Sequence, residues 1–358
     1  MTNVEYIGFL EPNGYGFATR NYVLALSKLP QLNIRLVPLG NPAHQNIARN
    51  AYNALSALQN TPECPNAIQV LHCIPDHFRR IARKTKSITI GTFEATPLPK
   101  HWLELLKSVQ RILIPSSFNL SQFSAIGPTS IVPHCLDFND YRLDIEPLFH
   151  FDKFTFFFCG DWKERKGYKT LLQAWKDHFA SNNDVQLVIK CVPKDAKRIE
   201  NDLQGYSITG KNITLLSEIY PDDKMPSLFK SFDCLVNCSV GEAFGLPGLQ
   251  SLSVGVPIIT TDYSGMQEYV TASNSYLLKV EGFRTLSAPM DNYFQFQDCL
   301  WPYVSPEQLA EKMRVAVLEN AAKKKSVGQD WQNLSRRFGY DEIGRKFLQE
   351  IENVSMLE

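Results

Sequence analysis

Three short segments concentrate the side chains of this sequence that suit ligand chemistry. The longest is Gly241 to Gln250, GEAFGLPGLQ, in which Glu242 is followed by Ala243-Phe244-Gly245-Leu246 and Pro247, and Gln250 stands eight positions after the glutamate. Apolar runs bracket it, Cys234-Leu235-Val236 before and Val256-Pro257-Ile258-Ile259 after, so the order reads strand, glycine-bearing loop, helix, strand. The N–H groups and dipole of a helix start suit an anion such as phosphate. Glu242 and Gln250 add polar groups for hydroxyls, so the segment predicts a site for a phosphorylated, hydroxyl-bearing ligand. The second segment, Gly160 to Gly167 (GDWKERKG), sets Arg165 and Lys166 side by side between an apolar strand and a helix. Such a pair can neutralise a diphosphate, arginine by forking onto oxygens and lysine as a point charge. A solvated charged loop is the alternative. The third, Glu11 to Gly16 (EPNGYG), places Gly14 and Gly16 where a first strand turns into a first helix. Glycines allow tight turning and close approach to a ligand, and a plain strand-to-helix turn explains them equally well. It is not a dinucleotide fingerprint: the third glycine position is Thr19, and the next strand, IRLVP, ends in no acidic residue.

These loops need strands and helices to hold them. Apolar runs predict strands at Val4–Phe9, Ile34–Val37, Ile68–Cys73, Ser87–Gly91, Arg111–Ile114 and Ser130–Val132. Ala18, Tyr22, Ala25 and Leu29 recur at helical spacing after Gly16. Further helices are expected over Pro99–Val109 and from Phe118, after Ser116-Ser117. A second alternation follows, with strands at Phe154–Gly160, Gln186–Val192, Ile213–Leu216, Asp233–Cys238, Pro257–Thr260 and Ser275–Leu278, and a helix carrying Tyr168, Leu171, Leu172, Trp175 and Phe179. Residues 280–304 are irregular and aromatic, and Ser305-Pro306-Glu307-Gln308 then reads as a helix start. A last amphipathic helix carries Ile343, Phe347 and Ile351. Short buried strands alternating with helices imply parallel sheets covered on both faces. The predicted class is α/β, two doubly wound Rossmann-like domains with a cleft between them. The first spans 1–145, the second spans 146–335, and a C-terminal helix at 336–358 is placed to pack back on the first. Ligands of such sheets bind at the carboxyl ends of strands, where all three segments lie.

Composition narrows the function. A chain of 358 residues suits two domains, and 37 basic against 37 acidic residues leave no global charge to attract nucleic acid. No run of eighteen apolar residues predicts a membrane span, and the N-terminus does not read as a signal peptide. The eight cysteines are scattered, several in apolar runs, and read as reduced thiols of a cytoplasmic protein. The basic stretch 77–86, HFRRIARKTK, is read either as a solvated helix face or as a peripheral contact to anionic lipid or an acidic acceptor. Gly205 to Lys211 imitates a P-loop but ends in Asn212 and precedes a strand. There is no Gly-x-Ser-x-Gly elbow, and no Asp-x-Asp pair to hold a divalent cation on a diphosphate.

The segments together resemble the retaining nucleotide-sugar glycosyltransferases of family 4, which have the GT-B fold. The resemblance rests on Glu242, Phe244, Gly245, Leu246, Pro247 and Leu249, then Gly255, Pro257, Ile258 and Ile259, then Gly265 and Glu268. Upstream it takes in Asp222 to Leu228, Phe232-Asp233 and Lys166-Gly167. In the first domain it takes in Gly91 to Glu94, Pro115 to Asn119 and Val132 to Asp137. Two positions depart from the pattern. Gln250 stands where the family usually has a glutamate that accepts hydrogen bonds from the nucleotide ribose, and Asp161 stands where an arginine often follows the strand's glycine. A neutral hydrogen bond contributes about 0.5–1.5 kcal/mol against about 1.5–3 for one to a charged group, so Gln250 implies weaker donor binding.

The resemblance implies a nucleotide diphosphate sugar as donor, held mainly by the second domain, and a glycan, lipid-linked or other hydroxyl acceptor. Arg165 and Lys166 would stabilise the leaving diphosphate, and Glu242 would hold sugar hydroxyls. Backbone N–H groups around Phe244, Gly245 and Leu246 would assist, Gln250 would meet the ribose, and the Gly14–Gly16 loop would close on the diphosphate or acceptor. Retention by front-face attack needs no protein nucleophile. No metal and no cofactor beyond the nucleotide sugar are expected. Glu94 and His72, at ends of first-domain strands, are candidates for acceptor or sugar contacts, while His134 reads as structural. A sugar-nucleotide-binding protein of the same fold that has lost turnover is the rival, motivated by Gln250 and Asp161. A dinucleotide dehydrogenase is disfavoured by the missing glycine and ribose acid.

Overall fold

A computed structural model describes residues 1–40, 47–208, 212–285 and 299–357. Gly210-Lys211 of the P-loop-like stretch and residues 286–298 of the irregular aromatic stretch lie outside the described residues. The chain divides into two compact units. Unit 1 comprises Met1–Phe138, Pro221–Asp223 and Ser335–Glu358, and unit 2 comprises Asn139–Tyr220 and Lys224–Leu334. The first division falls at the start of the charged segment 138–153.

Unit 1 runs β1 (Thr2–Phe9), α1 (Gly14–Ser27), β2 (Leu32–Leu39), α2 (Arg49–Gln59), β3 (Ile68–His72), β4 (Ser87–Ile90), α3 (Trp102–Leu106), β5 (Arg111–Ile114), α4 (Leu120–Ser124) and β6 (Thr129–Ile131). The strands form one parallel sheet in the order β2-β1-β3-β4-β5-β6. The expected stripe of α1 is buried at Ala18, Tyr22 and Ala25, but the helix stops at Ser27 and leaves Leu29 outside it. The helix expected over Pro99–Val109 shrinks to five residues, because Pro97 and Pro99 hold its approach in a turn. Helix α2 has no counterpart in the sequence reading. Its RNAYNALSALQ buries only Leu55, so it carries too thin an apolar stripe to signal itself.

Unit 2 runs β7 (Phe154–Cys159), α5 (Tyr168–His178), β8 (Val185–Lys190), α6 (Ala196–Gly205), β9 (Ile213–Leu216), α7 (Met225–Lys230), β10 (Cys234–Asn237), α8 (Leu246–Ser253), β11 (Ile258–Thr261) and β12 (Ser275–Leu278). These six strands form a second parallel sheet in the order β12-β11-β10-β7-β8-β9. Its centre is apolar because β7 and β10 have neighbours on both sides. Phe156, Phe158, Leu187 and Ile259 meet Leu171 and Trp175 of α5 in the core. A small antiparallel ribbon, β13 (Gly282–Arg284) with β14 (Trp301–Tyr303), follows, then α9 (Pro306–Phe338) and α10 (Tyr340–Ser355). Ser305 caps α9 by accepting from Gln308 N at 3.3 Å, as its sequence predicts. The Gln308 side chain does not close a reciprocal capping box; it bonds both backbone groups of Lys279. Helix α10 belongs to unit 1, where Phe347 packs on Tyr6 and Tyr22.

Each sheet has one place where the strand order turns back, and each such place opens a crevice at the strands' carboxyl ends. In unit 1 it lies between β1 and β3, and in unit 2 between β7 and β10.

Candidate functional site

The loops that leave β7 and β10 carry the charged candidates. After Cys159 the chain passes Gly160, whose missing side chain leaves room for the aliphatic stem of Lys166. A 3-10 turn over Glu164–Lys166 then ends at Gly167. Gly167 has φ +77°, and a Cβ there would come within 2.1 Å of the Cys238 carbonyl oxygen just past β10. Only glycine satisfies both the left-handed backbone and that close approach. The two loops are thereby pressed together. Val240 N donates to Arg165 O at 2.8 Å, and Ser239 Oγ donates to Arg165 O and Gly241 O, both at 3.1 Å.

This lacing brings Arg165, Lys166 and Glu242 into one cluster. Arg165 Nη1 donates to Gly241 O at 2.6 Å and reaches Glu242 Oε2 at 3.3 Å. Lys166 Nζ lies 2.5 Å from Glu242 Oε1. Burial alone would raise the Glu242 pKa, but the charges of Lys166 and Arg165, with hydrogen bonds from Lys166 and Ser239, hold it below the usual carboxylate range. Glu242 is therefore an anion at neutral pH, and two cations flank one carboxylate. An approaching anion meets a net positive centre whose donors are already ordered. Asp161, at the position that departs from the family pattern, pairs with Lys163 at 3.2 Å, so the second loop keeps its own acidic charge occupied.

The loop after Glu242 is fixed from below by residues that the sequence reading did not single out. Glu242 N donates to Ser264 Oγ at 3.1 Å, and Gly265 N donates to Glu242 O at 2.9 Å. Tyr269 Oη donates to Gly245 O at 2.5 Å. Gly245, at φ +82°, caps α8, and Met266 and Tyr269 fill the space a side chain there would need. Gly265 and Glu268 were visible in the resemblance, but nothing in the order of residues announces that Ser264 and Tyr269 reach back to the loop. Phe244 is buried with its ring 5.3 Å from that of Tyr269, so its side chain is part of the support. Pro247 has no N–H, and Gly248 N returns to Gly245 O at 2.9 Å. Of the four amide positions at this helix start, those of Gly245 and Leu246 have no acceptor among the described residues.

Gln250 lies one turn beyond Leu246 on the same side of α8. It is buried, and its amide Nε2 donates to Tyr141 Oη at 2.5 Å. Tyr141 was not read as a candidate, since it sits 109 positions before its partner in the charged linker segment.

The unit 1 candidates lie on separate loops of that unit. Asn13 caps α1 by accepting from Gly16 N at 2.9 Å. A Cβ at Gly16 would strike the Glu11 carbonyl oxygen, whereas Gly14 faces open space. Gly16 is thus required by the turn itself. His72 ends β3, fully buried, with Nδ1 2.9 Å from Tyr6 Oη and 3.0 Å from Thr19 Oγ1. Its Nε2 has no partner among the described residues. Burial, reinforced by His134, drives the His72 pKa well below its ordinary value, so the ring is neutral. His134 is also buried and is held down to about 3. Tyr22 spends its proton on Val132 O at 2.7 Å, so His134 Nδ1, 3.0 Å away, is the donor to Tyr22 Oη. Glu94 is half-buried beyond the end of β4.

The basic stretch 77–86 is not a helix face. Residues Pro75–Arg80 form a 3-10 turn and the rest is loop. Arg83 bonds Ser87 and Ser108, Lys84 pairs with Glu5 and Glu63, and Lys86 donates to Ser355 O. Arg79 and Arg80 remain exposed. Among the described residues no cluster of three His, Cys, Asp or Glu side chains suits a metal ion, and no helix is long and apolar enough to cross a membrane.

Comparison with known proteins agrees with this geometry. Solved structures share the fold at low sequence identity. HepE from Anabaena, in complex with UDP and glucose, aligns over 99% of this chain and 100% of its own, with a TM-score of 0.72 and 13% identity. Sucrose-phosphate synthase from Thermosynechococcus elongatus aligns over 99% of both chains, with a TM-score of 0.68 and 15% identity. A UDP-forming α,α-trehalose-phosphate synthase from Burkholderia xenovorans covers both chains fully at 0.68 and 13%. No curated protein matches the sequence. Residues 143–286, which contain Arg165, Lys166, Glu242 and Gln250, match the family described as Glycosyl transferases group 1. That match and the two-sheet GT-B fold together support a glycosyltransferase.

Proposed function

We propose that the protein transfers a sugar, with retention, from a UDP- or GDP-linked donor to a hydroxyl of a glycan, a lipid-linked or another acceptor. The observation that carries this reading is the meeting of Arg165, Lys166 and Glu242 at the β7/β10 crevice. Neighbours of the same fold add support, since HepE was solved with UDP-glucose.

In this reading the diphosphate enters beside Lys166 and Arg165 and the free amides of Gly245 and Leu246. It takes Lys166 over from Glu242. The carboxylate, relieved of one cation, then accepts hydrogen bonds from sugar hydroxyls and fixes the ring. The bond from the anomeric carbon to the phosphate oxygen breaks, and the acceptor oxygen bonds to that carbon on the same face. The acceptor proton passes to the departing phosphate oxygen. Charge develops on the diphosphate, where the ordered cations are worth most. Two fixed cations supply the charge a bridging divalent ion would, so the reaction runs without metal. Gln250 takes a ribose hydroxyl, His72 and Glu94 serve the sugar or acceptor, and Gly14 opens the first loop to ligand. His72, with Nδ1 accepting from a hydroxyl, offers Nε2–H as a donor and is not a base. A lipid-linked acceptor would bring Arg79 and Arg80 to the membrane surface. The complete ion cluster favours turnover over a protein that only binds.

Incubation with a panel of UDP- and GDP-sugars, with nucleotide release as readout and NMR of the product anomer, tests this. Release with at least one donor, unaffected by EDTA and strongly reduced in Glu242→Ala, is expected. If calorimetry detects no nucleotide sugar bound, the reading fails. If Glu242→Ala leaves release unchanged, the role of Glu242 is wrong.

A further inference from the structure

The contact between Gln250 and Tyr141 gives the amide a direction. A glutamine has one accepting and one donating end, and the two are nearly the same shape. Placed beside a ribose, it can present either. Here Nε2 is turned to Tyr141 Oη, so Oε1 is the end left over. Among the described residues Oε1 accepts no hydrogen bond, yet it is not sealed from solvent as His72 Nε2 is.

Tyr141 is itself held in place. Its carbonyl oxygen accepts from Trp331 Nε1 at 3.1 Å, and the same indole N–H reaches Ser253 O at the end of α8 at 2.9 Å. Two residues on, Leu143 O accepts from Lys230 Nζ at 2.7 Å, and that ammonium also reaches Val254 O at 3.1 Å. The segment bearing the hydroxyl is thus bolted twice to the carboxyl end of the helix that bears the amide. Gln250 and Tyr141 move as one body.

We infer that Tyr141 is a positioning residue that selects the amide orientation of Gln250, so that a carbonyl oxygen and not an NH₂ group faces the nucleotide ribose. This rests on the proposed function, because it presumes a nucleotide at α8. It also explains how a neutral side chain serves where a carboxylate needs no orienting: both ends of a carboxylate accept, whereas an amide must be told which end to show.

The test compares binding of UDP and GDP with that of their 2′,3′-dideoxy analogues, by calorimetry on the whole protein. The ratio of ribo to dideoxy affinity reads the ribose contact alone. Wild type should prefer the ribo form by about three- to tenfold, the range of one neutral hydrogen bond. Gln250→Met should bring the ratio near one. Tyr141→Phe, which keeps the ring, should lower the ratio nearly as far while leaving dideoxy binding unchanged. In a Gln250→Glu background Tyr141→Phe should leave the ratio unaltered. If neither UDP nor GDP binds wild type, the proposed function falls and this inference with it. If they bind and Gln250→Met leaves the ratio unchanged, Gln250 does not meet the ribose and the inference is overturned. If Gln250→Met lowers the ratio and Tyr141→Phe does not, Tyr141 alone is misassigned. Should Tyr141→Phe fail to fold, Trp331→Phe removes one of the two bolts and should lower the ratio part of the way; an unchanged ratio there overturns the inference.

Discussion

The two sheets offer the same kind of crevice and fill it with opposite chemistry. At the β7/β10 turn-back of unit 2, Arg165, Lys166 and Glu242 are charged and paired within 3.3 Å. At the β1/β3 turn-back of unit 1, Tyr6, Thr19 and His72 form a neutral hydrogen-bonded group, with Tyr22 and His134 packed beside it. Burial acts on both. In unit 2 it is opposed by neighbouring cations, so Glu242 stays ionised. In unit 1 nothing opposes it, and both histidines lose their charge. A doubly wound sheet therefore fixes where a ligand sits, while the side chains on two loops decide whether it is an anion.

The largest expected break in this contrast is Lys166→Ala or Arg165→Ala. Each should lower the rate of nucleotide release by about 10²–10³, the usual cost of removing one donor from a developing oxyanion. His72→Ala should leave UDP or GDP affinity within about twofold, because no charge is lost there. Equal losses of nucleotide affinity in the two units would erase the division of labour.

Next in size is the acid response of unit 1. The unfolded chain takes up a proton at His134 near its ordinary value of 6.5, whereas the folded chain refuses it until about 3. The unfolded state then binds more protons throughout that window, so stability falls as pH drops below about 6.5. At about pH 5 the loss from His134 alone is about 2 kcal/mol. Melting curves at about pH 7.5 and 5 should show a smaller drop for His134→Gln than for wild type. An identical drop would mean that the histidine titrates freely. Glu242 has the opposite sign: with its folded pKa depressed, its ion cluster stabilises above the ordinary carboxylate range and that contribution is lost as pH falls through the lowered value.

Smaller again is Glu242→Gln. Removing the anion that competes for Lys166 should tighten UDP or GDP binding by about three- to tenfold while nucleotide release slows. A weaker Kd would show that Glu242 and the diphosphate do not compete. Smallest is Tyr269→Phe, which removes the bond to Gly245 O and should cost about 1 kcal/mol in thermal or urea unfolding. No change would show that the loop is held without it.

The sequence made the sheets legible because short apolar strands such as FTFFFC carry their own signal. It made α2 illegible, because a helix that buries one leucine looks like surface. The charged cluster could be named only through the family resemblance, since 76 positions separate Lys166 from Glu242 and spacing says nothing across that distance. Support from behind was hidden for the same reason. Ser264, Tyr269 and Tyr141 reach the α8 loop or helix from other segments, and their residue types fit a core equally well. Arg165 was foreseen as a charge but not as a brace, and its bond to Gly241 O ties the two loops together.

The most direct test of the central claim is a structure of the protein with UDP or GDP bound. The account predicts diphosphate oxygens within hydrogen-bond distance of Arg165 and Lys166, with Lys166 drawn off Glu242. A diphosphate held elsewhere, with the Lys166–Glu242 pair intact, would contradict it.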